Sequence, residues 1–291
     1  MNRFREAIRQ QNFIVTATLP LKPASTVSQI KEAIEILAPV IDAIQVADDR
    51  YALGHMSPLA AACIVLQHEL DAIPHISCRD SNRIALQADI LGAAALGVTT
   101  LVLSRGEKFS KSTALPAKGV FHLAESQLIQ MAKLVSSDSS LVSDPGFHIG
   151  SVVTAFKPGK DWEAARIQEK IDAGTRFLQT QPCLNIGLLR NYMKSLIELK
   201  VMHRASVIVE VPLLTSQEDA KKIKRNYKGA TIPEPVIRRV LQSADPIAEG
   251  ILICAEMISE LKGVPGVSGV NIQYEGDSNN VVAAIRESER C

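Results

Sequence analysis

The chain has 291 residues, of which 46% are hydrophobic and only 4% are aromatic. This length suits one α/β barrel, and the composition predicts a core built mainly from alanine, valine, isoleucine and leucine. With 32 basic and 31 acidic residues the net charge is +1, which argues against a nucleic-acid partner, since such a protein usually carries an excess of basic residues on one face.

The five cysteines are dispersed and form no CxxC pair, a pattern typical of reduced thiols in the cytosol. The charged N-terminus lacks the apolar segment of a secretion signal, and no apolar run reaches the roughly 20 residues needed to cross a bilayer. Histidines and cysteines show no metal-ligand spacing. We therefore expect a cytoplasmic protein with no membrane segment and no metal site.

Short apolar runs alternate with longer amphipathic segments along the chain. The runs predicted as strands are 13–18, 41–47, 72–78, 99–104, 147–153, 176–181, 206–213 and 267–273. The segments with helical spacing are 30–37, 58–70, 81–96, 121–134, 162–173, 186–199, 217–225, 233–242, 246–261 and 280–287. Eight strands separated by helices, without a break in composition, predict a single-domain (β/α)8 TIM barrel over residues 1–291. The alternative is an open doubly wound sheet, which usually carries a GxGxxG motif after its first strand, and that motif is absent from the sequence.

Polar side chains gather at the predicted carboxyl ends of the strands, where barrel enzymes place their active sites. They are Thr18, Asp48, His75, Arg105, Glu107, Thr154, Gln181, Glu210, Asn271 and Gln273. The set contains no evident Ser-His-Asp arrangement and no cluster of metal ligands. Hydrogen-bonding groups with few ionisable ones suit an enzyme whose reactive atoms belong to a cofactor.

Several of these positions have two interpretations from the residues alone. His75 is either a satisfied interior histidine or a ligand contact. Arg105 and Gly106 leave a strand, where an arginine can hold a phosphate and a glycine lets the backbone approach a ligand, but an ion pair at the start of the loop explains them equally. Glu210 is a carboxylate within an apolar run and lies either at the rim or inside the barrel. Lys170 would ordinarily be a solvated helix residue.

Several of these motifs resemble those of methylenetetrahydrofolate reductases. PHISC (74–78) resembles their PHLTC, and LSRGE (103–107) resembles their ALRGD. EKIDAG (169–174), followed by TQ (180–181), resembles their KVDAGA…TQ, and VSGVNI (267–272) resembles the eighth strand of the bacterial members. The order and spacing of the motifs fit across about residues 12 to 275.

The resemblance implies a barrel that binds FAD non-covalently. Hydride would pass from NADH or NADPH to the flavin and then to 5,10-methylenetetrahydrofolate, a reduced folate, giving 5-methyltetrahydrofolate. The positions that it assigns to FAD are His75, Arg105, Gly106, Ala155 and Lys170. Glu107 matches a catalytic aspartate, and Gln181 matches the glutamine that binds the pterin. Glu210, together with Asn271 and Gln273 in place of the family's usual tyrosine and arginine, completes the predicted substrate site. The resemblance also implies a homo-oligomer, and a partner protein belongs to one of the alternatives given below.

The chain departs from the family pattern in its first strand. The family's FEFFPP carries a glutamate that acts as a general acid, and Ala17 takes its place here. Loss of a positioned general acid typically costs ~100- to 10,000-fold in rate, so we expect Glu107, one methylene longer than the family aspartate, to deliver the proton. In the second strand, Ala47-Asp48-Asp49-Arg50 replaces TYGA.

Three alternatives stay open. One is oxidation of methyltetrahydrofolate in one-carbon demethylation catabolism. Another is a partner-dependent flavin-binding subunit without reductase activity of its own. The third is a folate-binding methyltransferase barrel, which would be colourless where a flavoprotein is yellow.

Overall fold

The computed structural model describes residues 3–48, 54–108, 117–138, 140, 146–160 and 162–290. Its strands form a closed parallel barrel in which each strand pairs with the next and the last pairs with the first. They are β1 (Ile14–Thr18), β2 (Ala43–Val46), β3 (Asp71–Ser77), β4 (Thr100–Ser104), β5 (His148–Val153), β6 (Phe177–Thr180), β7 (Ser206–Pro212) and β8 (Val267–Gln273). The (β/α)8 prediction is therefore confirmed, and each predicted strand ends within two residues of the observed one.

Helices surround the barrel and connect its strands. They are α1 (Arg3–Gln10), α2 (Val27–Leu37), α3 (Pro58–Gln67), α4 (Arg83–Ala95), α5 (Glu125–Ser136), α6 (Ala165–Ala173), α7 (Ile186–Glu198), α8 (Gln217–Asn226), α9 (Glu234–Gln242), α10 (Pro246–Lys262) and α11 (Ser278–Glu287), with a 3-10 turn at Val201–His203. As the sequence predicts, three helices lie between β7 and β8. Among the described helices, none is both long and apolar enough to cross a membrane.

Alternate residues of each strand line the lumen of the barrel, because successive side chains point to opposite faces of a sheet. The half nearest the amino ends of the strands is apolar, and its cluster includes Ile14, Ile73, Val102, Phe177 and Ile208. The half nearest the carboxyl ends is polar and buried, and it contains Thr16, Gln45, His75, Gln179, Glu210 and Asn271. The outward residues of the strands pack with the helices in larger apolar clusters. The fold thus places the polar side chains at one end of the barrel.

Helix α1, which the sequence analysis did not predict, closes the amino-terminal end of the barrel. Phe4 is fully buried, and its ring lies edge-on to Phe177 with 5.4 Å between centroids. The Phe4 backbone N–H donates to Asp71 Oδ2 at 3.0 Å. Gly150 leaves space for these rings, because a Cβ there would lie 2.2 Å from Phe177 Cζ. An isolated helix of eight residues is unstable in water, so this one depends on packing that its local sequence does not reveal.

Candidate functional site

Three neighbouring cavities lie at the carboxyl end of the barrel. The central cavity, of about 350 Å³, is lined by residues that include His75, Arg79, Arg105, Gly106, Glu107, Glu125, Arg166, Gln181, Glu210 and Tyr227. A side cleft of about 660 Å³ shares Glu125, Thr154, Arg166 and Gln181 with it and continues to Phe156, Trp162 and Tyr192. A third cavity, of about 240 Å³, lies against β1 and β8 and shares Asp48 with the central one. Six residues with a predicted catalytic, cofactor-binding or substrate-binding role, from β3, β4, β6 and β7 or the turns after them, therefore meet in one cavity.

Glu107 and Gln181 form a direct contact in the central cavity. Gln181 Nε2 donates to Glu107 Oε1 at 3.0 Å, although the two residues are 74 positions apart in the chain. Both side chains are only partly buried. Gln181 Oε1 has no solvent contact and no hydrogen-bond partner in the structure. The pair therefore combines a carboxylate that solvent can reach with a buried acceptor to which none of the described residues donates.

Gly106 allows the turn after β4 to lie against the end of β3. Its φ is +78°, a conformation that L side chains rarely adopt, and a Cβ there would lie 2.6 Å from Arg79 Cβ. The turn carries Arg105 and Glu107 on either side of this glycine. Arg105 lies over the Phe121 ring, 5.0 Å from its centroid, in a cation–π contact. The close packing of Gly106 thus fixes the backbone positions of Arg105 and Glu107.

Lys170 and Glu125 form an ion pair in the side cleft. Lys170 Nζ lies 2.9 Å from Glu125 Oε1 and also donates to the Val152 carbonyl at 2.5 Å. The two side chains are only 17% and 16% exposed, so Lys170 is not the solvated helix residue that its spacing would suggest. Desolvation raises the pKa of Glu125, and the nearby Lys170 acts in the opposite direction. The positive charge of Lys170 is therefore already offset by a protein carboxylate.

The segment after α8 covers part of the central cavity. Tyr227 is 7% exposed, and its hydroxyl accepts from Gln273 Nε2 at 3.0 Å. Gly229 approaches Gln181 so closely that a Cβ there would lie 1.9 Å from Gln181 Oε1. A larger residue at position 229 would displace the Gln181 amide, so this segment helps to hold that amide in place.

The two predicted substrate residues of β8 occupy different places. Gln273 lines the third cavity, and its Oε1 is buried without a hydrogen-bond partner in the structure. Asn271 is fully buried in the lumen, where it accepts from Thr16 Oγ1 at 3.0 Å and donates to Thr18 Oγ1 at 2.8 Å. Asn271 is not among the residues that line the three cavities.

Ala17 and Ala155 face away from the lumen. Both belong to the apolar cluster between the barrel and its helices, where they are 0% and 2% exposed. Thr16 and Thr18 face inward on β1, so a glutamate at position 17 would point into the helix layer in this register. Ala155 likewise packs into the core, and its neighbour Thr154 lines the cavities instead. Asp49 and Arg50, which replace part of the family's second-strand motif, lie outside the described residues.

Among the residues of the central cavity that the sequence analysis missed are Arg79, Glu125, Arg166 and Tyr227. Arg79 follows the PHISC motif directly and forms a bidentate pair with Asp80, both contacts at 2.7 Å, so its place after a strand could have identified it. Glu125 and Arg166 lie in the first turns of α5 and α6, whereas the prediction rested on residues at strand ends. Tyr227 reaches the cavity through tertiary folding alone. Among the described residues, no group of histidine, cysteine or acidic side chains could hold a metal ion.

Comparison with known proteins places this architecture in a family. The family model described as methylenetetrahydrofolate reductase matches residues 3–284, whereas no curated protein sequence matches the chain. An uncharacterized protein from Clostridium thermocellum that binds two copies of 5-methyl-5,6,7,8-tetrahydrofolic acid has a similar structure, with a TM-score of 0.70 and 14% identity over 99% of this chain and 98% of that chain. QR15, an aldolase, gives a TM-score of 0.49 and 11% identity over 96% of each chain. The first likeness shows the shared fold. Because the family model covers nearly the whole sequence, the chain belongs to the methylenetetrahydrofolate reductase family.

Proposed function

We propose that this protein interconverts 5,10-methylenetetrahydrofolate and 5-methyltetrahydrofolate with bound FAD, and that NADH or NADPH donates the electrons. The observation that carries the proposal is the Glu107–Gln181 pair, with 3.0 Å between Nε2 and Oε1, in the central cavity of a chain of this family. The Clostridium thermocellum protein of the same fold binds methyltetrahydrofolate, which supports a reduced folate as the substrate class.

The cations around the central cavity fit an anionic dinucleotide. Arg105 and Arg166 line it with exposed side chains, and no carboxylate forms an ion pair with either among the described residues. Guanidinium groups pair well with phosphate oxygens, so these two arginines would hold the FAD diphosphate. Lys170 contributes to the cofactor site indirectly, because its charge holds Glu125, which lines both the central cavity and the side cleft. When bound, FAD would supply hydride transfer between the nicotinamide and the folate.

Glu107 is the proposed proton donor and acceptor for the folate. The other two glutamates of the central cavity are engaged elsewhere, since Glu125 pairs with Lys170 and Glu210 accepts from Gln179. Glu107 is partly exposed and receives its hydrogen bond from an amide, so it can exchange a proton with solvent. It would protonate the folate amine as the five-membered ring opens and recover the proton in the reverse direction.

Gln181 is the proposed contact for the pterin ring. Its Nε2 is already bound to Glu107, and its buried Oε1 lacks a donor in the structure. A buried acceptor without a partner is costly, so a small movement of the amide that brought Oε1 to an N–H group of the ligand would be favoured. His75, Glu210 and Gly106 line the same cavity, and Gln273 offers a second buried acceptor in the adjoining one.

Glu107→Gln tests the proposal directly. The amide is nearly isosteric but cannot transfer the proton, so we expect kcat for NADH-dependent reduction of methylenetetrahydrofolate to fall ~100-fold or more, with FAD binding retained. Glu260→Gln is the matched control, because Glu260 pairs with Arg190 on the surface and is 48% exposed. Unchanged turnover in Glu107→Gln would remove Glu107 from the mechanism.

The visible spectrum of the purified protein tests the cofactor separately. We expect flavin absorption bands after incubation with FAD, and their bleaching by NADH or by methyltetrahydrofolate. A protein that stays colourless after incubation would contradict the assignment of FAD. Flavin bands without any NADH oxidation would favour the partner-dependent subunit over an independent reductase.

A further inference from the structure

A continuous chain of hydrogen bonds crosses the lumen beneath the central cavity. Gln179 Nε2, on β6, donates to Glu210 Oε2, on β7, at 3.0 Å. Gln45 Nε2, on β2, donates to Gln179 Oε1 at 2.8 Å, and His75 Nε2, on β3, lies 2.8 Å from Gln45 Oε1. Because β2 and β6 are on opposite sides of an eight-stranded barrel, the two glutamines join its two walls.

The four side chains that are linked by these hydrogen bonds are deeply buried. Gln45 and Gln179 are 0% exposed, Glu210 is 2% and His75 is 4% exposed. The two end residues, Glu210 and His75, also line the central cavity. Water therefore cannot readily replace the internal bonds, and each amide must present the group that its neighbour requires.

The carboxylate at one end determines the direction of every bond. An ionised carboxylate only accepts hydrogen bonds, so Gln179 must turn its NH2 group toward Glu210. Its carbonyl then faces Gln45, which must donate in turn and which presents its own carbonyl to His75. His75 Nε2 must therefore carry a hydrogen.

A side branch of hydrogen bonds, from Gln45 to Thr16 and Asn271, does not determine which way the Gln45 amide is oriented. Gln45 Nε2 also donates to Thr16 Oγ1 at 3.1 Å, and Thr16 Oγ1 donates to Asn271 Oδ1 at 3.0 Å. A hydroxyl group both donates and accepts, so Thr16 could serve either orientation of the Gln45 amide. Within the series of hydrogen bonds from Glu210 to His75, the Glu210 carboxylate is the group that can only accept, and it therefore imposes one polarity.

We propose that Glu210 is a positioning residue that holds His75 in the Nε2–H tautomer from the opposite side of the barrel, through the amides of Gln179 and Gln45. In the neutral imidazole, Nδ1 is then an acceptor. This inference depends only on the geometry of the lumen and holds whether or not FAD is the cofactor.

Nuclear magnetic resonance can observe the tautomer directly. The protein has six histidines, and long-range 1H–15N correlations on 15N-histidine-labelled protein distinguish Nε2–H from Nδ1–H in each. The His75 signals are those lost in His75→Asn. In the wild-type protein, at a pH where His75 is neutral, we expect the Nε2–H pattern alone. In Glu210→Gln the terminal amide can face Gln179 with either group, so we expect the Nδ1–H pattern to appear beside it.

Two further variants complete the test. Gln179→Met cuts the chain and should reproduce the mixed pattern, so it decides the question if Glu210→Gln does not fold. Thr18→Val is the control. It removes a buried hydroxyl that contacts Asn271 but none of the four side chains from Glu210 to His75, and it should leave the His75 pattern unchanged. An Nδ1–H pattern in the wild type, or a pure Nε2–H pattern in both Glu210→Gln and Gln179→Met, would overturn the proposal.

Discussion

His148 should make the stability of the protein depend on pH in the acidic range. It lies at the closed end of the barrel, stacked on Phe177 with 5.5 Å between centroids and 6° between planes. Burial, together with the positive charges of Arg5 and Arg176, lowers the pKa of His148 from 6.5 to about 4. The unfolded chain therefore binds a proton at this residue between those values when the native state does not, and stability falls as the pH falls.

The size of the effect follows from the two pKa values. Linkage predicts that the His148 contribution to the free energy of unfolding decreases by about 2.5 kcal/mol between pH 7 and pH 4.5. Burial also raises the pKa values of Asp42 and Asp71. Those carboxyls act in the opposite sense, because the native state binds their protons more readily as the pH falls. A comparison of two proteins that both retain these carboxyls cancels their contribution.

His148→Phe provides that comparison, since it keeps the ring stack and removes the titrating group. Urea denaturation of both proteins at pH 7 and pH 4.5 gives the difference in their free energies of unfolding at each pH. We expect this difference to shift in favour of the variant by about 2.5 kcal/mol on going to pH 4.5. An equal difference at the two pH values would show that His148 does not resist protonation in the native state.

Three other substitutions test the architecture around the site. Phe4→Ala should lower the free energy of unfolding by ~3–5 kcal/mol in urea denaturation while kcat stays close to that of wild type, and a large loss of kcat in the folded variant would contradict a purely structural role. Lys170→Met leaves Glu125 buried without its cation and should cost ~3–5 kcal/mol; the double variant with Glu125→Gln should recover most of this, and no recovery would argue against the ion pair. Gly106→Ala introduces a Cβ 2.6 Å from Arg79 Cβ, so its kcat should fall because the Glu107 turn moves, and wild-type kinetics would refute the close packing.

The fold could be predicted from the sequence because its signals are local. Apolar runs such as 206–213 and 267–273 alternate with amphipathic segments, and this alternation reports which faces of strands and helices are buried. The same logic failed for α1, a short charged helix that is stabilised by its contacts with the amino-terminal end of the barrel, among them the packing of Phe4. The family resemblance aligned Ala17 with a catalytic glutamate, although the register of β1 turns the Ala17 side chain toward the helices.

The sequence by itself determined that polar residues follow the strands and that parallel strands bring them to one end. It therefore predicted that His75, Arg105, Glu107, Gln181 and Glu210 share a region. Only the tertiary structure decided which of them touch, because a contact such as that between Glu107 and Gln181 depends on register and side-chain geometry across many residues of intervening chain. The direction of the hydrogen bonds within the lumen is likewise determined by residues that are neighbours in space, and it cannot be predicted from the spacing of those residues in the sequence.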